Sequence, residues 1–353
     1  YNRRARLKQE VLRKEFWLPA FAYYDDLFGL ETTETIESAE AVARGVHEIL
    51  GILYGEHKVS IGAKVGILGV GYDLPALRLR VTQKRKRAIC DEISGIIKAR
   101  RLSPGAAGKL KGRLTFVAGQ LWGRLGRHLM PTLSQRQYMR KSKHQNANDI
   151  AGPLEETLVE WHNLIANGRT RDLVAYGDGR NDAIIFTDGW TPDWRFQEKA
   201  PPGVVERIGA TMFHKCLPKP LAFEMDIPEW WAWAWEPRKT QIILLELLAP
   251  LVALHTWGHK FLKGRSVIVF NDSSAAENIL VKGYSSKACD ANDLANQFWA
   301  TSMEIDLCGY IDRVPTDCNP SDGSSRGRCK EDCMRYNWEQ CRPEIPDSWI
   351  TEG

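Results

Sequence analysis

The chain has 353 residues, 43% of them hydrophobic and 26% charged, which is enough for two or three domains with their own cores and excludes a disordered polyelectrolyte. A net charge of +4 and a pI near 8.5 permit a nucleic-acid partner without requiring one. The longest apolar run, Ile242 to Leu254, contains Glu246 and reads as a buried helix, so no membrane-spanning stretch is expected.

The opening Tyr1-Asn2-Arg3-Arg4 has neither an initiator Met nor an apolar signal region, and the chain reads as an intracellular piece of something longer, with cytoplasm and nucleus both open. Residues 3–16 are basic and helix-compatible. Residues 17–30 read as a hairpin with Asp25-Asp26 at its turn. Residues 38–54 carry Ala39, Val42, Ala43, Val46, Ile49, Leu50 and Leu53 at helical spacing. Strand-like pieces follow at Lys58–Ile61 and Val65–Val70.

From Thr82 to about Tyr138 the texture is helical and basic. Ile89, Ile93, Ile96 and Ile97 give one helix an apolar stripe, and Ser103-Pro104 starts the next with a cap and a first-turn proline. Residues 140–149 read as a polar linker, and a helix over about 153–166 leads to Gly177-Asp178-Gly179. A further domain begins near 172. Strands are expected at Ala183–Phe186, Ile208–Phe213, Leu221–Met225, Val267–Phe270 and about 309–314. A long apolar helix is expected from Thr240 to Trp257, and two more between Ser273 and Cys308. The order β-β-β-α-β-α-α-β-α gives an α/β fold, a mixed sheet flanked by helices. Residues 336–353 read as a poorly ordered tail.

Two features near the ends of these elements carry chemistry. Tyr23-Tyr24-Asp25-Asp26 puts adjacent carboxylates at the tip of an apolar hairpin, an arrangement suited to holding a divalent cation for phosphoryl chemistry. In the last domain Asp188 and Asp272 end apolar strands, Glu246 interrupts a leucine-rich helix, and Asp322 starts a helix. Each has an ordinary structural reading as a turn, a cap or an ion-pair partner. An unpaired buried carboxylate costs several kcal/mol, roughly, or shifts its pKa, and a cluster becomes favourable when it holds divalent cations. Two Mg²⁺ ions, or Mn²⁺, bound by these four acids would suit phosphodiester hydrolysis.

The eight cysteines, four of them at 318, 329, 333 and 341, match no zinc-ligand spacing and read as reduced thiols. His255 and His259 read as structural or surface groups. Of the clustered Trp230, Trp231, Trp233 and Trp235, the period-two alternation suits packing of an extended strand, with stacking on bases as the alternative.

Thr187-Asp188-Gly189, Glu246-Leu247-Leu248-Ala249, Asn271-Asp272-Ser273-Ser274 and Asn319-Pro320-Ser321-Asp322 with Ser325-Arg326 together resemble the ribonuclease H domain of retroelement reverse transcriptases. Tyr23-Tyr24-Asp25-Asp26 is similar to the palm box of that family, and Leu68-Gly69 within Val65–Val70 to the primer-gripping turn after it. Residues 82–138, with Leu110-Lys111-Gly112-Arg113-Leu114, resemble the thumb and connection of DIRS-like and Ty3/Gypsy-like elements. The resemblance implies a partial palm over 1–75, a helical thumb-connection over 76–171, a ribonuclease H-like domain over 172–335 and a tail over 336–353.

It further implies that Asp188, Glu246, Asp272 and Asp322 hold two metal ions and cleave the RNA strand of an RNA–DNA hybrid. Asp25 would be a polymerase metal ligand, Asp26 its neighbour, and Tyr24 would lie near the primer end. Only 22 residues precede Tyr23, so the third palm carboxylate is outside the chain and no polymerase activity is expected of it alone. The loop 314–318 lacks the mobile His of many family members, which implies slow turnover. Gly323-Ser324 replaces the usual apolar pair, which implies weaker helix packing. Arg85, Lys86, Arg87, Lys111 and Arg113 are the expected phosphate contacts, with a solvated helix face as the alternative. A silent nucleic-acid-binding relic, a DNA-directed nuclease on the same fold, and association with the rest of a reverse-transcriptase polyprotein remain open.

Overall fold

The computed structural model describes all residues except 1, 25, 54, 121–122, 140–148, 151, 169–170, 173–182, 192–204, 229–230, 232–234, 237, 239, 287, 347–348 and 350–353. The chain forms two compact units, Tyr1–Leu68 and Gly69–Gly353.

The first unit contains α1 (Asn2–Glu15), β1 (Ala20–Tyr23), β2 (Asp26–Gly29), α2 (Ile36–Ile49) and β3 (Lys64–Ile67). The expected hairpin is present, with Tyr23 paired to Asp26 and Ala20 to Gly29. Tyr24 turns the chain with a left-handed φ of 54°. The helix expected over 38–54 stops at Ile49, and Leu53, the last residue of its apolar pattern, is 98% exposed. Leu12, Ala20 and Val46 form the small core of this unit.

The second unit opens with β4 (Val70–Asp73) and β5 (Arg78–Val81), antiparallel to each other. Four helices follow: α3 (Gln83–Ala99), α4 (Pro104–Ala118), α5 (Met130–Tyr138) and α6 (Pro153–Ala166). Ser103 caps α4 as its sequence demands, its Oγ accepting the Ala106 N–H at 3.3 Å. Ile89, Ile93, Leu110, Leu114, Leu133, Leu158 and Trp161, all at most 2% exposed, make the helical core. The short strand β6 (Arg171–Asp172) pairs with β5.

The mixed sheet then forms from β7 (Ala183–Trp190), β8 (Arg207–His214) and β9 (Leu221–Asp226), followed by α7 (Ile242–Trp257), β10 (Ser266–Asn271), α8 (Ser274–Lys282), α9 (Cys289–Glu304), β11 (Cys308–Arg313), α10 (Asp322–Ser325), α11 (Cys329–Tyr336) and β12 (Glu339–Gln340). The strand order is β11-β10-β7-β8-β9-β12. β7, β8 and β9 are an antiparallel meander, whereas β10 runs parallel to both β7 and β11. This is the mixed α/β architecture expected. β7, β8, β9 and β10 run one to four residues beyond the expected apolar stretches because ladder pairing continues into polar residues, and β11 is shifted by one residue; β7 reaches Trp190, so Asp188 lies inside the strand.

Two expectations are corrected. The apolar helix ends at Trp257 as expected, but the expectation that no stretch reaches membrane-spanning length does not hold. One π-helical turn, Gly258–Leu262, extends it to 21 residues, long and apolar enough by length and composition to cross a membrane. Yet 78% of its most apolar window is buried against the sheet and α9, so it is the core helix of this unit. Nor are the described residues between 336 and 349 a loose tail. Glu339 and Gln340 add a parallel edge strand to β9, the Cys341 N–H donates to Ala222 O at 2.8 Å, and Ile345 and Trp349 pack on the core.

Candidate active site

Alternation along β7 sends Asp188 and Gly189 to opposite faces of the sheet. Gly189 faces α7: a Cβ there would sit 2.8 Å from Glu246 N and Leu245 C, so the missing side chain lets the helix reach the strand at the turn that carries Glu246. Gly209, the cross-strand partner of Asp188, does the same on the other face, where a Cβ would meet Ser325 N at 2.5 Å. Two glycines thus bring α7 and α10 onto adjacent positions of the β7–β8 ladder.

Asp188, Glu246 and Asp272 converge from β7, α7 and the end of β10, with one carboxylate oxygen of each within 4.8 Å of the others. Among the described residues no other three acids, cysteines or histidines meet in this way. The centre lies at the carboxyl ends of the parallel pair β7 and β10, where the sheet direction switches and open α/β sheets build their sites.

Burial pushes the Asp188 carboxyl up to about 7, and the charges of Asp272 and Asp322 add to that. Glu246, 4% exposed, is raised well above the usual carboxylate range by burial and then by Asp188 and Asp272. Two groups resist. The Ser325 hydroxyl donates to Asp188 Oδ2, and the Arg326 charge favours the Asp188 anion. Burial and mutual repulsion still outweigh these contacts at both carboxyls.

Asn271 organises the centre. Pro250 sits inside α7 and has no N–H, so the carbonyl of Glu246, four residues earlier, has no helical donor. Asn271 Nδ2 replaces it, lying 3.1 Å from Glu246 O and 2.9 Å from Glu246 Oε2. Its Oδ1 accepts the Ser273 N–H at 2.8 Å, turning the chain past Asp272 into α8. Asn319 acts similarly for the last box: its Nδ2 donates to Thr187 O at 3.1 Å and holds the start of α10 against β7.

The fourth expected acid, Asp322, is not among the three that meet within 4.8 Å. Asp322 Oδ1 is 2.8 Å from Arg326 Nε and its Oδ2 is 3.5 Å from Arg328 Nη2. Its charge nevertheless raises Asp188. Gly323 lets α11 approach, since a Cβ would run into the Asp332 carboxylate, and Ser324 is fully buried; the pair expected to weaken packing sits in a close contact instead. The four acids stand out in the sequence, whereas Asn271, Ser325, Gly189 and Gly209, which place them, do not. An Asn before a strand-end Asp, and a proline four residues after a helical Glu, were the available signals.

The other expected site residues distribute as follows. Asp25 lies outside the described residues. Asp26 and Tyr24 are exposed, and the Tyr23 and Tyr24 rings meet edge to face at 4.9 Å. Lys86 Nζ donates to Gly168 O at 2.7 Å, tying α3 to the end of α6, and Lys111 lies 6.0 Å over the Tyr138 ring. Arg87 is exposed. Arg85 stacks on Phe116 at 4.6 Å, and Arg113 pairs with Glu92 at 2.5 Å. His255 is packed edge-on against Trp349, whereas His259 is exposed beside Glu304. Trp231 is buried against Trp349; Trp230 and Trp233 lie outside the described residues, as does Gly177-Asp178-Gly179.

No protein-family model matches the chain, and no curated protein does. Among solved structures it is similar to the N-terminal RNase H domain of rv2228c from Mycobacterium tuberculosis, as a fusion protein with maltose-binding protein. The identity is 13% over 43% of this chain and 96% of that one, with a TM-score of 0.30. It is also similar to RNase H1 from the halophilic archaeon Halobacterium salinarum NRC-1, at 13% identity over 42% of this chain and 98% of that one, with a TM-score of 0.31. Likenesses this distant carry no functional weight, and the fold is defined by this chain's own strand order and register.

Proposed function

We propose that the carboxylate centre hydrolyses phosphodiester bonds with divalent cations, and that its substrate is the RNA strand of an RNA–DNA hybrid. The observation that carries this reading is the convergence of Asp188, Glu246 and Asp272 within 4.8 Å at a strand switch point. Three clustered carboxylates, two of them buried, destabilise one another when ionised unless cations join them, and an all-oxygen donor set suits Mg²⁺ or Mn²⁺. Asp188, Glu246 and Asp272 would hold the ions, with Asp322 close by. Bound there, such ions supply an activated water and stabilise the leaving oxygen.

The chain's own groups prepare the centre. Asn271 fixes the orientation of Glu246, Ser325 favours the ionised form of Asp188, and Arg326 and Arg328 pair with Asp322. The order of motifs along the chain supports a reverse-transcriptase origin. In that reading Tyr24, Asp25 and Asp26 mark a palm whose polymerase chemistry needs a further carboxylate.

The test is incubation of wild-type chain and Asp272→Asn with Mg²⁺ and a hybrid labelled on its RNA strand, beside single-stranded RNA and duplex DNA. Wild-type cleavage of the hybrid RNA alone, lost in the variant, is the expected result. Cleavage by both proteins or by neither sinks the assignment, and preferential cutting of duplex DNA replaces the substrate.

A further inference from the structure

Away from the carboxylate centre, α3 and α4 enclose a cleft of about 720 Å³. Lys84, Arg85, Lys109 and Arg113 line it, so its rim is strongly cationic. Its interior is mostly apolar, built on Ile89, Phe116 and the bare backbone of Gly112. A phosphate track needs only the charges. An apolar hollow between them suits a flat ring.

We propose that this cleft takes one unpaired nucleotide of a single-stranded nucleic acid, with its base on the apolar lining and its phosphates on the rim. Three features support it. First, the Arg85 guanidinium already lies 4.6 Å over the Phe116 ring, presenting a planar cationic surface of the kind on which bases stack. Second, Glu92 holds Arg113 at 2.5 Å and orients its guanidinium before any ligand arrives. Third, the two glycines serve different ends. The Arg85 guanidinium occupies the place a Cβ at Gly69 (φ 79°) would take, which seats it over Phe116. A Cβ at Gly112 would meet nothing within 4 Å, so the bare backbone there leaves open space.

The cleft also re-sorts the basic residues of this region. Arg85 and Arg113 line it, joined by Lys84 and Lys109. Lys86 is engaged by Gly168 O, while Arg124 and Arg127 donate to Val281 O and Lys282 O.

The reading does not rest on the nuclease proposal, and its test runs in EDTA, where strand cleavage does not contribute. Fluorescence anisotropy compares labelled oligo(dT), an abasic phosphodiester of equal length and a blunt duplex. Wild-type chain should bind oligo(dT) about tenfold or more tighter than the abasic strand, as base stacking contributes. Gly112→Leu fills the cleft while keeping every charge and raising helix propensity. It should abolish that preference with no loss in Tm. The double variant Lys84→Ala, Lys109→Ala should weaken both strands and reduce the salt slope by about 1.4. Equal binding of abasic and base-bearing strands, or unchanged oligo(dT) binding by Gly112→Leu, overturns the proposal. Binding of dTMP as tight as that of the oligonucleotide assigns the cleft to a free nucleotide and overturns the strand assignment.

Discussion

Asn271 takes the place of a helical N–H for Glu246. Its amide contacts both the Glu246 carbonyl, at 3.1 Å, and the Glu246 carboxylate, at 2.9 Å, because Pro250 leaves that carbonyl without its usual donor. One side chain therefore satisfies the backbone break and aims the carboxylate.

Asn271→Ala should cost about 1–3 kcal/mol of stability, because it leaves a buried carbonyl unpaired. Divalent-ion affinity should fall by about 10–100-fold, as it does when the outer partners of metal ligands are removed. Denaturant unfolding and calorimetric Mn²⁺ titration read the two effects. An unchanged affinity would separate Asn271 from the centre.

The pH dependence of stability follows from Asp188. Its folded pKa of about 7 exceeds the ordinary 3.8, so between these values the native state binds more protons than the unfolded chain. Stability from this group is fullest at low pH and is lost as pH rises toward about 7. In EDTA the Tm contribution of the centre should be lower at about pH 8 than at about pH 5.5. Asp188→Asn should remove that difference, and Mg²⁺ should restore wild-type stability at the higher pH. Thermal melts of both proteins under the four conditions provide the check; parallel curves would contradict the burial argument.

Ser325→Ala removes a hydroxyl that favours the Asp188 anion. The Asp188 pKa should rise further, and the acid limb of hybrid cleavage should move upward by about one pH unit. A loss of rate that is uniform across pH would instead assign Ser325 a purely structural role.

Gly189→Ala places a methyl 2.8 Å from Glu246 N. The helix must retreat, at a cost of about 1–3 kcal/mol, and Glu246 moves with it. Cleavage should drop further than unfolding alone explains, which activity measured well below the variant's Tm would show. Full activity in a folded variant would mean that the contact has slack.

Much of the second unit was legible in the sequence because its signals are local. Ser103-Pro104 announces α4, the isoleucine stripe announces α3, and the apolar strands follow in the order later found. Asp188, Glu246 and Asp272 stood out because carboxylates are costly inside apolar elements. Local reasoning failed where partners are distant along the chain. The edge strand at Glu339–Gln340 looks like polar tail until β9 offers its backbone. Lys86 looks like a phosphate contact until Gly168 O accepts its ammonium.

The sequence by itself determined the element types and the acids able to bind cations, since both depend on spacing and composition. Only the tertiary structure decided which acids meet. Asp188, Glu246 and Asp272 converge because Gly189 and Asn271 join β7, α7 and β10 at one end of the sheet, while Asp322 is held by Arg326 and Arg328. Convergence is set by packing distances between segments dozens of residues apart, and no local pattern encodes them.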